Sequence, residues 1–165
     1  MIPRQAAQLA LALMVIGITS SFAADIPEQI QKYIDMAKEG KDDDGLKKLG
    51  ESILKDADKE ADQLNEFAWK ILTEDGIKKR DLALAMRVAK AAYDASEGKN
   101  AAIVDTYARA FFDSGDKAEG IKLQKKALEL AEDDNLKTEL KTTLERYEKE
   151  AAEAKKEPKK TEEKK

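Results

Sequence analysis

The 165-residue sequence contains neither cysteine nor histidine. The lack of cysteine excludes disulfides, thiol nucleophiles and redox dithiols, and the lack of histidine removes the commonest general acid–base residue and metal ligand. Only three prolines occur and aromatic residues make up 5% of the chain, whereas 39% of its residues are charged. Such a composition favours a highly charged helical protein. We expect a protein that is not an enzyme and that holds neither a cofactor nor a metal ion.

Two serine–lysine pairs are the remaining catalytic signal. Ser52 with Lys55, and Ser114 with Lys117, have the S-x-x-K spacing that lets a lysine contact a serine nucleophile on a helix. Neither an S-D-N nor a K-T-G motif accompanies them, and no oxyanion-hole element can be recognised. We expect neither pair to be catalytic, and a cryptic hydrolase is the alternative.

Residues 1–23 have the pattern of a cleavable secretory signal. A basic residue precedes the apolar run from Leu9 to Ile18, and Ser21 and Ala23 supply the small residues that signal peptidase requires. This run is too short to span a bilayer. We expect cleavage after residue 23, an exported protein that is periplasmic or secreted, and no stable membrane span afterwards. An uncleaved membrane anchor is the alternative.

The charge balance argues against a nucleic-acid partner. The formal net charge is −4, and an acidic chain lacks the basic surface that phosphate backbones attract. Lysine and glutamate dominate the C-terminal residues 153–165, which lack apolar periodicity and contain the helix breaker Pro158. We expect this tail to be disordered and solvated.

Apolar residues recur with helical spacing between these two ends, and no alternating strand pattern of useful length interrupts them. The pattern predicts an all-α protein with about seven helices. Its third helix should run from about Lys59 to Thr73, its fourth should begin at Asp81, and a D-x-x-E capping box from Asp116 to Glu119 should open its sixth. The last helix carries a single apolar stripe, formed by Leu136, Leu140, Leu144 and Tyr147.

A register of small residues repeats with a period of 35 residues. Three positions carry glycine or alanine and are followed by alanine seven residues later: Gly50 and Ala57, Ala85 and Ala92, Gly120 and Ala127. Residues seven apart lie two turns apart on one helix face, and small side chains there let a neighbouring helix approach closely. Each period therefore predicts one helical hairpin.

The segment 101–134 resembles a tetratricopeptide repeat, a helix–turn–helix unit of about 34 residues. Its matching or substituted positions are Val104, Tyr107, Ala108, Phe111, Gly120, Gln124, Ala127 and Glu132. The resemblance implies a right-handed superhelix of stacked antiparallel hairpins. Its concave groove, lined by the first helix of each hairpin, would bind a partner protein or peptide.

The resemblance also divides the chain into segments. These are the signal peptide 1–23, a degenerate N-terminal hairpin 24–60, a repeat with an extended inner turn 61–99, a repeat 100–134, a capping helix 135–152 and the tail 153–165. The positions expected to pack the repeats together are Gly50, Ala57, Ala68, Ala85, Ala92, Tyr107, Ala108, Gly120 and Ala127.

We expect the partner to bind the outward faces of the third and fifth helices. The residues of this predicted groove are Asn65, Trp69, Thr73, Asp105, Arg109 and Phe112. Trp69 and Phe112 would be buried anchors, and Asn65 and Arg109 could bind backbone or carboxylate groups. Two alternatives remain: Trp69 could be a core residue, and Asp105 could form a surface ion pair with Arg109.

A second resemblance covers the chain from Leu64 to about Tyr147. The runs LNEFAWKILT, RDLALAM and AAIVDTYARAFFDSGD look like tetratricopeptide-type regions that follow thioredoxin-like domains in some exported bacterial proteins. This resemblance implies a redox-related partner in the cell envelope. The alternative is a self-associating structural envelope protein, a homo-oligomer with Trp69 and Phe112 at its interface.

Overall fold

The computed structural model describes residues 25–40 and 43–156, which form seven α-helices and, within these ranges, no strand. The helices are α1 (Ile26–Glu39), α2 (Asp43–Asp56), α3 (Ala61–Thr73), α4 (Leu82–Ala95), α5 (Ala101–Asp113), α6 (Lys117–Leu130) and α7 (Asp134–Lys156). The predicted all-α fold is therefore confirmed. The predicted signal peptide and residues 157–165 of the predicted tail lie outside the described residues.

The helices pack as a row of hairpins. α1 packs on α2, α3 on α4 and α5 on α6, and α7 continues the row by packing on α6. The odd-numbered helices also contact one another, α1 with α3 and α3 with α5, while α4 packs on α5. Stacked hairpins of this kind bury a continuous core because each hairpin covers the apolar face of the next.

Local sequence signals set the helix ends. Asp81 Oδ1 accepts a hydrogen bond from Leu84 N at 2.9 Å at the start of α4, and Asp116 Oδ1 accepts one from Glu119 N at 3.1 Å at the start of α6. These bonds satisfy backbone donors that have no partner within the helix. Gly40 follows α1 with a φ of 69°, a left-handed conformation that glycine adopts without strain.

Two helix ends differ from the sequence prediction. α3 begins at Ala61 rather than near Lys59, because Lys59 has a φ of 67° and lies outside the helical region. α7 continues to Lys156 instead of ending at residue 152. Its last turn consists of alanine, glutamate and lysine, which are strong helix formers, and the helix breaker Pro158 comes only later in the chain.

Two groups of buried apolar side chains form the interior. The first joins α1, α2, α3 and α4, and it includes Phe67, whose ring meets Tyr33 edge to face with centroids 5.0 Å apart. The second joins α5, α6 and α7. α5 contributes to both, with Ile103 and Ala110 in the first group and Val104 in the second. This helix therefore connects the two halves of the interior.

Small residues of the 35-residue register lie where helices come close together. A Cβ atom at Gly120 would lie 3.0 Å from Ala108 O and 3.0 Å from Phe112 N. The backbones of α5 and α6 therefore come so close at Gly120 that a larger side chain has little room. A Cβ atom at Gly50 would lie 3.0 Å from Tyr33 Cε2. Of the expected packing positions, Tyr107 is half-buried and the others are buried: Gly50, Ala57, Ala68, Ala85, Ala92, Ala108, Gly120 and Ala127.

The extended turn 74–81 between α3 and α4 is held by polar contacts. Arg80 Nη1 donates a hydrogen bond to Ile71 O and Arg80 Nη2 donates one to Glu74 O, each at 2.7 Å. The Glu74 carboxylate lies 2.6 Å from Lys38 Nζ of α1. The turn therefore caps the end of α3 and fastens it to α1.

Candidate functional site

Trp69 is the large hydrophobic side chain that the structure leaves most open to solvent. It is 40% exposed, and no other large hydrophobic residue in the described part of the chain is classed as exposed. Leu64, Phe67, Ala68 and Ile71 of the same helix are all buried. The other face of α3 therefore forms the core, and Trp69 is not a core residue.

Arg109 of α5 extends the surface around Trp69. Its guanidinium carbon lies 5.9 Å from the centroid of the Trp69 ring, within the range of a cation–π contact. Arg109 Nε donates a hydrogen bond to Asp113 Oδ2 at 3.2 Å, which fixes the guanidinium from the side of its own helix. Arg109 thus pairs with Asp113 and does not form the ion pair with Asp105 that its spacing allowed.

Asn65 and Thr73 lie one helical turn before and after Trp69 on α3. Asn65 is half-buried, and its Oδ1 atom has no hydrogen-bond partner among the described residues. The Thr73 hydroxyl donates to Trp69 O at 2.8 Å, so it is bonded to its own helix. We call the surface formed by Asn65, Trp69, Thr73, Arg109 and Asp113 the Trp69 face.

Asp105 does not belong to this face, because its carboxylate accepts a hydrogen bond from Gln124, a side chain that also bonds to α7. Asp105 Oδ1 accepts a hydrogen bond from Gln124 Nε2 of α6 at 2.7 Å, and the same nitrogen donates to Leu140 O of α7 at 3.3 Å. Burial raises the pKa of Asp105, although the bond from Gln124 and the positive charge of Arg109 act in the opposite direction. The predicted contact of Asp105 with a partner is replaced by contacts inside the protein.

Phe112 is also covered rather than free to anchor a partner. It is 5% exposed, and its ring stacks on Tyr147 of α7 with centroids 3.8 Å apart and an angle of 8° between the ring planes. Lys117 Nζ lies 5.1 Å from the centroid of the Phe112 ring. The apolar stripe of α7 needs a surface to bury against, and it takes the side of α5 on which Phe112 lies.

Tyr147 and Asp113 are the two site-related residues for which sequence reasoning assigned no functional role. Tyr147 is fully buried, and its hydroxyl has no hydrogen-bond partner in the described ranges. Burial raises its pKa to about 12. The place of Tyr147 in the apolar stripe of the last helix indicated burial, but only the packing of the helices shows that it covers Phe112.

The sequence signal for Asp113 was weaker. Asp113 follows Arg109 by four residues, a spacing that allows an ion pair on one helix.

The serine–lysine pairs and the acidic side chains are the other candidate groups. Ser52 Oγ donates to Asp56 Oδ2 at 3.1 Å, and within the described ranges no hydrogen bond joins either serine of the S-x-x-K pairs to its lysine. The same residues contain no group of three or more acidic side chains placed to hold a metal ion. None of the helices in residues 25–40 and 43–156 combines the length and hydrophobicity that a transmembrane span requires.

Comparisons of this chain with protein families, with curated proteins and with solved structures found no match. The functional reading therefore rests on the residues of the site and their geometry.

Proposed function

We propose that the protein is an exported, non-enzymatic adaptor built from tetratricopeptide-like hairpins, which binds a partner protein or peptide in the cell envelope through the Trp69 face. The exposure of Trp69 is the observation that carries this proposal. Burying an aromatic side chain of this size is strongly favourable, and tryptophan is enriched among the residues that dominate binding energy at interfaces. An exposed tryptophan on a folded helix is therefore suited to be covered by a partner.

Arg109 strengthens this assignment because it is already oriented. Its contact with the Trp69 ring and its hydrogen bond to Asp113 hold the guanidinium in place before any partner arrives. A side chain that is ordered in the free protein loses less conformational entropy on binding. A guanidinium beside an indole can contact both an apolar side chain and a carboxylate or backbone carbonyl of the partner.

The order of the helices supports the tetratricopeptide-like assignment. α1 contacts α3 and α3 contacts α5, as neighbouring first helices of successive hairpins would, and Trp69 and Arg109 come from α3 and α5. The helical runs around Trp69 are also those that resemble regions following thioredoxin-like domains. We therefore propose a redox-related envelope protein as the partner, with periplasmic or secreted localisation after signal cleavage.

Self-association is the second candidate function, and it rests on the same observation, the exposure of Trp69. Two copies could bury Trp69 against each other, which would make the protein a structural homo-oligomer of the envelope. The two functions differ in their dependence on concentration, because only self-association makes the mass of the purified protein rise with protein concentration.

Affinity capture from envelope extract tests the proposal. The wild-type protein is compared with a Trp69→Ala/Arg109→Ala variant, with helicity checked by circular dichroism. Arg146→Ala is the matched control, since Arg146 also lies over an aromatic ring, at 4.8 Å from Tyr147, and pairs with an acid four residues later, Glu150. We expect one partner to be captured by the wild type and the control and lost from the double variant.

Two results would contradict the adaptor proposal. Capture of the same proteins by the wild type, the double variant and the control would show that the Trp69 face does not bind them. A mass that rises with concentration in the wild type but not in the double variant, with no other protein captured, would establish self-association in its place.

A further inference from the structure

The last helix, α7, is held less firmly than α5, the helix that it partly covers. α5 packs on α3, α4 and α6, whereas the main contact of α7 is with α6. Among residues 134–154 of α7, whose exposure the structure describes, only Leu140 and Tyr147 are buried. A region with few buried apolar side chains is one that opens locally while the rest of a protein stays folded. Release of α7 would therefore leave most of the apolar interior in place.

The polar bonds that join α7 to α6 are weak. Lys117 Nζ donates a hydrogen bond to Glu150 O at 3.4 Å, and Gln124 Nε2 donates one to Leu140 O at 3.3 Å. Both are longer than the roughly 2.7 to 3.2 Å of a typical N–H···O bond. The same two helices share an ion pair between exposed side chains, which adds little stability. These bonds would not hold α7 in place once its apolar contacts opened.

Two polar groups at the interface of α7 are buried without hydrogen-bond partners. Tyr147 and Gln124 are both fully buried, and neither the Tyr147 hydroxyl nor Gln124 Oε1 is bonded to any described residue. Burial raises the pKa of Tyr147 to about 12, so its hydroxyl keeps its proton at neutral pH. Both groups would bind water if they were exposed, and burying them unpaired costs free energy. This cost arises only while α7 is closed, so the two groups favour its opening.

The link between α6 and α7 allows α7 to move as a whole helix. In this link, residues 131–133, Ala131 has an extended backbone and the two residues after it are exposed. Asp133 Oδ1 accepts a hydrogen bond from Leu136 N at 2.9 Å, so the residue that caps α7 moves with it. α7 therefore keeps its own N-terminal cap when it leaves α5 and α6.

Opening of α7 would uncover Phe112 next to the Trp69 face. Tyr147 covers Phe112, because the two rings stack with their centroids 3.8 Å apart. On α5, Phe112 follows Arg109 by three residues and Asp113 follows it by four. Residues three and four apart lie on the same side of a helix, and Arg109 and Asp113 both belong to the Trp69 face. An uncovered Phe112 would therefore extend this face by a second aromatic side chain.

We propose that α7 is a displaceable cover of the partner-binding surface. It opens from α5 and α6 while α1–α4 stay packed, and its opening uncovers Phe112 as a second aromatic anchor beside Arg109. With α7 closed, the surface offers Trp69 as its aromatic anchor, and with α7 open it offers both rings. The movement of α7 is a property of the protein alone, whereas its consequence for binding rests on the proposed function.

Amide hydrogen exchange, followed by nuclear magnetic resonance on the purified full-length chain without a partner, tests the movement. We expect the amides of α7 around Leu140 and Tyr147 to be about a hundredfold less protected than those of α3 around Phe67. Tyr147→Phe keeps the stacked ring but removes the unpaired hydroxyl. It should therefore raise the protection of α7 about tenfold and leave that of α3 unchanged.

Tyr93→Phe is the matched control, because it removes a tyrosine hydroxyl that has a partner. The Tyr93 hydroxyl accepts a hydrogen bond from Lys126 Nζ at 2.6 Å. Its removal loses a bond instead of relieving an unpaired group, so we expect no gain of protection in α7. An equal gain in Tyr93→Phe and Tyr147→Phe would show that the unpaired hydroxyl is not its cause, and this result would contradict the proposal.

A fluorinated ring at position 112 measures the uncovering itself. 4-Fluorophenylalanine replaces Phe112, and ¹⁹F relaxation dispersion reports exchange between the environments of this ring. We expect a major stacked state and a minor state with the chemical shift of a ring in water, which the urea-unfolded protein provides as a reference. Tyr147→Phe should lower the population of the minor state about tenfold, in step with the rise in amide protection.

Three results would overturn the proposal. Equal protection of α3 and α7 would mean that α7 opens only when the whole protein unfolds. Protection of α7 that falls or stays the same in Tyr147→Phe would mean that the hydroxyl does not favour opening. A single environment for the ring at position 112 would mean that it is not uncovered. All three are measured without a partner, so they are distinct from a failure of the adaptor proposal in affinity capture.

Discussion

In the hairpins α3–α4 and α5–α6 the two helices pack against each other, but the turns that connect them differ in length. Residues 114–116 connect α5 to α6, whereas residues 74–81 connect α3 to α4. Both second helices bury the small residue of the 35-residue register, Ala85 in α4 and Gly120 in α6. The comparison shows that the helix faces determine the pairing, while the turn can lengthen if its polar groups find partners.

The longer turn finds these partners in its own arginine and in α1. Lys78 Nζ donates to Glu39 O at 3.1 Å, and the ion pair between Lys38 and Glu74 joins the same two regions. Among the described residues, the short turn forms no such hydrogen bond or ion pair with another hairpin, and its ends are held by backbone bonds and the Asp116 cap. The extended turn therefore also connects neighbouring hairpins.

The largest effect should come from filling the close contact in the short-turn hairpin. In Gly120→Leu the new side chain would meet Ala108 O and Phe112 N, backbone atoms that cannot rotate away. We expect the free energy of unfolding in urea to fall by about 3 kcal/mol. Ala118→Leu, on the exposed side of α6, should change it by less than about 0.5 kcal/mol. Equal losses would show that the close approach does not set the pairing.

Removing the arginine of the long turn should have the next largest effect. Arg80→Ala leaves Ile71 O and Glu74 O without their donors, and we expect a loss of about 2 kcal/mol in the free energy of unfolding. Lys79→Ala is the control, with an expected change below about 0.5 kcal/mol. Amide hydrogen exchange should quicken at the end of α3 and stay unchanged in the α5–α6 hairpin. Uniform quickening would contradict a local role for Arg80.

The two N-terminal caps should be equivalent despite the different turns. Asp81→Ala and Asp116→Ala each remove one bond from a side-chain oxygen to a backbone N–H, and each should cost about 1 kcal/mol. Chemical denaturation of the two variants measures this directly. A difference between them of more than about 1 kcal/mol would mean that turn length changes the contribution of a capping residue to the free energy of unfolding.

The smallest effects concern two carboxylates whose pKa values shift in opposite directions. The bond from Arg87 lowers the pKa of Glu51, so its ion pair adds stability above the unfolded pKa of about 4.3, and this stability is lost as the pH falls through the folded value. Burial raises the pKa of Asp105, so its ionised form costs stability, and that cost vanishes below the unfolded pKa of about 3.9.

Urea denaturation at about pH 7 and about pH 3, on either side of these unfolded pKa values, separates the two. Glu51→Gln should lower stability at the higher pH only, by less than about 1 kcal/mol because the pair is exposed. Asp105→Asn should raise stability at the higher pH only, because an amide can still accept the bond from Gln124. A loss of stability at the higher pH in Asp105→Asn would contradict the sign of its shift.

Most of the fold could be predicted because its signals are local. Asp81 and Asp116 each mark a helix start in the sequence, and each accepts the backbone bond that a capping residue should accept. The apolar pattern starts α3 too early, because nothing in the sequence indicates that Lys59 has a positive φ. It also ends α7 too early, because helix-forming residues continue to Lys156.

The candidate site was only partly predictable because exposure depends on neighbouring helices. Trp69 and Phe112 both lie on outward stripes of their helices, and their sequence patterns do not distinguish them. α7 covers one of them, since Tyr147 stacks on Phe112, and leaves Trp69 open. The sequence showed that the last helix has an apolar stripe, but which side of α5 this stripe covers depends on how α7 packs.

The central claim is that the Trp69 face directly contacts another envelope protein. A photo-reactive benzophenone amino acid in place of Trp69, and in a control protein in place of Lys48, which is exposed on α2, tests this claim by cross-linking in envelope extract. The account predicts one adduct with a different protein from position 69, its loss when Arg109→Ala is added, and none from position 48. No adduct, the same adducts from both positions, or an adduct only with a second copy of this chain would contradict it.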